Sequence, residues 1–297
     1  MCSNVSRAAK IRQLLKTERI IVAPAVGDAL GARMVEKTGF NALFVSGSSM
    51  ANLLTGTLDI GILSYGEIRN NLLNIINATS LPIIADADTG YGGTFSIYRM
   101  VREYEAMGIA GIQLEDQVFP KMCAYFSNVS VVPVEEMCLR IKAACQARTD
   151  PDFLIIGRTD ASASLGFREA VKRAYRYHEA GAEMIFISVP RSMEDIRQLA
   201  ALPFPVCTSI VEGTINEDLT TDELAEMGFK LVKFPQTLIR ASMKAMHDAL
   251  VELKDKGTTR NIRNHFFTQK QRANYTALDE YSAFNERLSG EIIDVVD

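Results

Sequence analysis

Eight short apolar runs with helical stretches between them constrain this chain more than any other feature. They are IIVAPAV (20–26), ALFVSG (42–47), LPIIADAD (81–88), GIQLED (111–116), FLIIGRTD (153–160), MIFISVP (184–190), FPVCTSI (204–210) and FKLVKFP (229–235). They lack the polar alternation of a half-exposed strand and so read as parallel strands covered on both faces. The intervening segments, such as SIYRMVREYEAMG and FREAVKRAYRYHEAG, carry apolar residues at three- and four-residue spacing and close on Gly108 and Gly181. That is helix periodicity with a C-terminal stop. Eight such units in about 230 residues predict a (β/α)8 barrel of the TIM type. The competing arrangement, an open Rossmann-like sheet, would want a GxGxxG after the first strand, and none is there. The barrel is expected over 1–256. Residues 257–297, containing FFTQKQRANYTALDEYSAFNERL, predict one or two further helices packed on the barrel or on a neighbouring subunit.

Polar residues gather at the C-terminal ends of the runs: Ser46, Gly47 and Ser48; Asp86 and Asp88; Glu115 and Asp116; Arg158 and Asp160. In a barrel those ends open on one face, where active sites sit. The bulk composition restricts what that site can serve. With 47% apolar and 23% charged residues the chain reads as an ordinary soluble globular protein. A net charge of −4 without a basic block argues against nucleic acid and anionic membrane as partners. Five scattered cysteines (Cys2, Cys123, Cys138, Cys145, Cys207) form no CxxC pair, which predicts neither a disulfide framework nor a zinc knuckle. The N-terminal stretch has no apolar signal core and no later run has membrane-helix length, so a cytoplasmic location is expected.

Asp86 and Asp88, two apart on one strand, should point to one side and, with Glu115 from the next strand, make a hard oxygen cluster. Such a cluster calls for a cation, and without histidines at the mouth it suits Mg²⁺, or Mn²⁺ in its place, better than Zn²⁺. The other reading has these acids capping the next helix or pairing with Arg158. From Glu115 runs EDQVFPKMCAYF, which opens a loop long enough for a lid. In it Cys123 lies two residues from Lys121, whose ammonium would favour a thiolate; a buried inert cysteine is the competing reading. Arg158 could grip a carboxylate by a bidentate fork or serve in a structural salt bridge to Asp160 or Glu115. SGSS (46–49) is either an anion-binding backbone or a plain tight turn. Cys138 and Cys145 read as core residues, and His178, His247 and His265 fall on helices or the tail, away from the strand ends.

Taken together, SGSSM, TLDIG, DADTGYGG, QLEDQ, FPKMC and RTDA resemble the isocitrate lyase and phosphoenolpyruvate mutase superfamily, especially its methylisocitrate lyase-like branch, over nearly the whole chain. The resemblance implies a Mg²⁺-dependent barrel that makes or breaks a C–C or P–C bond beside a 2-oxo acid, commonly as a homotetramer exchanging a helix. It implies Asp88 as the most direct metal contact, with Asp86, Glu115 and Asp59 in the same shell. Ser46, Gly47, Ser48 and Arg158 would hold the oxo acid, and Arg158, Lys121 and Cys123 would be catalytic, the cysteine protonating the released fragment. Where lyases of this branch carry Lys-Arg-Cys-Gly-His, this chain has Lys121-Met122-Cys123-Ala124-Tyr125, and Ser188 and Ser209 stand where a glutamate and an asparagine are usual. The distal half of the substrate is therefore expected to be smaller or less charged. A C–C lyase is the leading expectation. Phosphonopyruvate- or oxaloacetate-type mutase, hydrolase or decarboxylase chemistry is the second, and a non-catalytic oxo-acid-binding protein the third.

Overall fold

The computed structural model describes residues 5–125 and 129–294. Cys2 and Phe126, named above, lie outside the described residues. Every apolar run becomes a strand: β1 (Ile21–Val26), β2 (Leu43–Val45), β3 (Ile83–Asp86), β4 (Gly111–Glu115), β5 (Leu154–Thr159), β6 (Met184–Ile187), β7 (Val206–Ser209) and β8 (Leu231–Phe234). They pair in parallel, in sequence order, and β8 closes on β1 through Ile21↔Leu231 to Pro24↔Phe234. The (β/α)8 barrel is therefore observed.

Two cores explain the continuous apolar character of the strands. Outward-facing residues such as Val45, Ile83, Ala85, Ile112, Leu114, Ile155 and Ile185 pack under the helices. Inward-facing Ala23, Phe44, Ile84, Leu154, Ile156, Met184, Phe186, Cys207 and Leu231 fill the barrel. Both faces of each strand are dry, which is why alternation vanishes from the sequence. Helix Thr94–Met107 ends on Gly108 at φ 88°, a conformation that a side chain would strain. Helix Phe167–Glu179 stops one residue earlier than expected, at an Ala180 cap, and Gly181 follows in the left-handed region.

The run ALFVSG holds only three strand residues. Ser46 already caps helix Gly47–Thr55, its Oγ accepting from Ser49 N at 3.3 Å, so SGSS opens a helix rather than forming a tight turn. Likewise β3 ends at Asp86. Asp88 lies beyond the strand at φ 45°, and that left-handed step, not strand alternation, brings its carboxylate round to Asp86. After β8 comes helix Thr237–Lys256, in which only Ile239 is buried, followed by helices Gln269–Tyr275 and Leu278–Ser289. The tail touches the barrel near helix Ala29–Lys37, with Arg33 3.7 Å from Glu280.

Candidate active site

The strand ends converge as a barrel requires, and a cavity at the mouth is lined by Ser46, Ser48, Asp59, Asp86, Cys123, Tyr125, Arg158, Ser188 and Ser209. The four other expected residues pack against it. A Cβ built on Gly47 would stand 3.0 Å from Asp88 Oδ1 and 3.5 Å from both Asp86 Oδ2 and Lys121 Nζ. Glycine is what lets the start of the helix approach the acids. Gly47 N donates to Asp86 Oδ2 at a long 3.4 Å.

Charge is arranged differently from the simple acid cluster expected. Lys121 is buried and its Nζ lies between Asp59 Oδ1 (2.7 Å) and Asp88 Oδ1 (2.5 Å). Burial works against its charge, yet Asp88, Glu115 and Asp59 hold its pKa well above the usual lysine value. Arg158 approaches Glu115 Oε2 (3.0 Å) and Asp160 Oδ1 (3.1 Å). Lysine and arginine thus take the two ends of the cluster. Among the described residues, no three His, Cys, Asp or Glu side chains converge as a ready metal cage. The acids nonetheless fit a hard cation in one respect: Glu115 is fully buried and its Oε1 has no hydrogen-bond partner. Burial pushes the Glu115 carboxyl well above the usual range and, with Asp86 and Asp59 nearby, lifts Asp88 to about 6 despite Lys121. Crowded, desolvated carboxyls of this kind are relieved by a divalent cation with oxygen preference.

The loop carrying Cys123 is held at three points. Gln117 Nε2 donates to Met122 O and its Oε1 accepts from Met122 N, both at 2.8 Å, while the same Nε2 reaches Asp160 Oδ2 at 2.8 Å. Cys123 N donates to Asp59 O at 2.9 Å. A bridge between Gln117 and Val131 closes the base of the loop. The expected thiolate is not what this environment favours. Burial pushes the Cys123 thiol up, and the ammonium of Lys121 is already committed to Asp59 and Asp88. The thiol stays protonated at neutral pH, which suits a proton donor.

On the far side of the cavity, Tyr125 is lifted to about 12 by burial, and Ser188 Oγ donates to Asp160 Oδ1. Met122 contributes its backbone to the Gln117 clamp. Cys138 is buried as expected and Cys145 half-buried; His178, His247 and His265 stay away from the mouth on helices.

Residues 11–254 match the family model of phosphoenolpyruvate phosphomutase. The chain belongs to the phosphoenolpyruvate mutase and isocitrate lyase superfamily. Within it, 2,3-dimethylmalate lyase of Eubacterium barkeri is 38% identical over 265 residues, covering 89% of this chain and 92% of that protein. A 2-methylisocitrate lyase of Shewanella oneidensis is 36% identical over 284 residues, 95% and 96% of the two chains. The solved structure of a phosphonopyruvate hydrolase in complex with oxalate and Mg²⁺ superposes with a TM-score of 0.85 at 28% identity, covering 96% of this chain and all of that one.

Against this superfamily frame, sequence reasoning missed Gln117, Gln113 and Lys233. The last two were detectable as polar residues at inward positions inside otherwise apolar strands. It also missed the role of Asp116, which is fully buried and accepts from Thr159 Oγ1 (2.7 Å), Asp160 N (2.9 Å), Tyr177 OH (2.7 Å) and Arg173 Nη1 (3.2 Å). Asp116 thereby fixes the strand end that carries Arg158 and Asp160. Asp116→Ala is expected to destabilise the fold by about 3–5 kcal/mol, because it breaks a buried ion pair with Arg173 and removes the shared acceptor of Thr159, Tyr177 and Asp160 N, leaving Arg173 only Glu169 at 3.6 Å as a carboxylate partner. Urea unfolding measures this, and an unchanged midpoint would deny Asp116 that role.

Proposed function

We propose that the protein is a Mg²⁺-dependent carbon–carbon lyase that splits a small 2-hydroxy or 2-oxo carboxylic acid and releases a 2-oxo acid such as pyruvate or glyoxylate. The observation that carries the reading is the Cys123 thiol, held by a clamped loop in the same cavity as the acids, with burial pushing its pKa up. Superfamily relatives named as lyases support it.

Asp86, Asp88 and Glu115, with Asp59 behind them, would hold Mg²⁺. When bound, the ion would polarise the oxo group of the fragment retained. The amide edge of helix Gly47–Thr55, with Ser46 and Ser48, faces the anionic end of the substrate, as helix N-termini favour. Arg158 adds positive charge at the same end and remains charged, since Asp160 and Glu115 outweigh the cost of its burial. The Cys123 thiol donates the proton that the departing carbanion-like fragment needs. Lys121 holds the loop onto the acids through Asp59 and Asp88. Tyr125, Ser188 and Ser209 leave the distal side without a formal cation, so a weakly charged distal group, as in a 2-alkylmalate, suits the site better than a tricarboxylate.

The test is incubation with Mg²⁺ and a panel of 2-alkylmalates, methylisocitrate, isocitrate, oxaloacetate and phosphonopyruvate, assaying pyruvate, glyoxylate and oxalate. Cleavage of an alkylmalate supports the lyase reading. Oxalate from oxaloacetate, or pyruvate from phosphonopyruvate, without any alkylmalate cleavage would replace it by hydrolase chemistry.

A homotetramer with an exchanged helix is part of the proposal. Helix Thr237–Lys256 exposes Met243, Met246, Leu250 and Leu253 along one stripe, and an apolar groove beside β1 and β8 is lined by Val22, Pro24, Met34, Phe40 and Phe234. A second copy would cover both. Light scattering is expected to give a tetramer, with Leu250→Asp lowering the mass; a stable wild-type monomer would refute the exchange.

A further inference from the structure

Lys233 is a charged residue in the middle of an apolar strand. It points into the barrel from β8 and is 2% exposed. Its Nζ donates to Gln113 Oε1 of β4 and lies 3.5 Å from the ring centre of Phe186 of β6 and 5.1 Å from that of Phe44 of β2. Phe44, Gln113, Phe186 and Lys233 thus form one layer drawn from the even-numbered strands, where barrels ordinarily place branched aliphatic side chains. The layer lines the catalytic cavity itself.

The other cations of the site are already matched. Lys121 has Asp59 and Asp88, and Arg158 has Glu115 and Asp160. Lys233, among the described residues, has an amide oxygen and two aromatic faces but no carboxylate within ion-pair distance. A buried cation without a counter-ion is costly, and one that lines a cavity is completed by an anion entering it. Burial, with Arg158 nearby, pushes its pKa down to about 8, while Cys207, Asp86 and Asp160 favour the charge; at neutral pH the amine is still largely protonated.

We propose that Lys233 is a substrate-binding residue that takes a carboxylate of the bound acid at the floor of the cavity. This rests on the reading of the site as one for small oxo acids. It gives the floor a point charge that favours an anionic group without dictating the geometry of its oxygens.

The test is calorimetric titration of the full chain with oxalate in Mg²⁺ buffer. Lys233→Met fills the same space without charge and is expected to weaken oxalate by about tenfold or more, the range of a lost charge-assisted hydrogen bond. Lys233→Gln, which keeps a donor, is expected to be weakened similarly. Both should unfold at or above the wild-type temperature, since a buried charge is removed. Wild-type affinity in either folded variant would overturn the proposal. Turnover on the acid panel reports separately: Lys233-dependent oxalate binding without any cleavage would sink the lyase reading and leave this one. Alkylmalate cleavage with oxalate binding indifferent to Lys233 would do the reverse.

Discussion

Cys123→Ser is expected to lower kcat by about 100- to 10,000-fold, the contribution of a positioned general acid, while oxalate and Mg²⁺ affinity stay near wild type. The exchange is nearly isosteric. Cys123 is held through its backbone N–H to Asp59 O and by the Gln117 clamp on Met122, neither of which involves the sulfur. What changes is acidity. Burial keeps the thiol protonated at neutral pH, but a thiol can still give up its proton to a carbanion far more readily than a serine hydroxyl can. Stopped-flow or steady-state kinetics on the best alkylmalate, paired with oxalate calorimetry, separates chemistry from binding. A fully active Cys123→Ser enzyme would move the protein to the decarboxylase or hydrolase reading.

The second large effect is at the acids. Asp88→Ala is expected to abolish turnover and Mg²⁺ binding together, and a strong chelator should silence the wild type until Mg²⁺ or Mn²⁺ is restored. Asp88 is one of the two carboxylates against the Lys121 ammonium and stands beside Asp86, so its loss removes an oxygen donor and half of the loop's anchor. Asp88→Asn separates those two contributions, since the amide oxygen can still accept from Lys121 while the negative charge is gone. Magnesium affinity by calorimetry should fall in both variants. Undiminished activity in chelator would remove the metal from the mechanism.

Much of this architecture was legible beforehand because it rests on burial alone. A strand dry on both faces must be apolar throughout, so eight such runs announced eight strands, and each of them is present. The residues of the site were legible for a related reason: charged groups at the ends of buried strands have few places to go except the barrel mouth. What failed were inferences from local neighbours. Lys121 was expected to activate Cys123 because two residues separate them, yet its charge is taken by Asp59 and Asp88, respectively 62 and 33 positions back in the chain. Asp86 and Asp88 were expected to align by strand alternation, yet a left-handed residue does it.

Periodicity and burial are properties of each segment alone, and they suffice to specify the barrel, the face on which its mouth opens, and the acids, the cysteine and the arginine that meet there. Which charge neutralises which follows from the folded barrel and not from any one segment. Arg158 is matched to Glu115 and Asp160, Lys121 to two acids from other loops, and Lys233, one residue before the end of β8, to no carboxylate among the described residues. Ion pairing depends on distances of a few ångströms between strands far apart in the chain, and closure of the barrel, not spacing along the sequence, sets those distances.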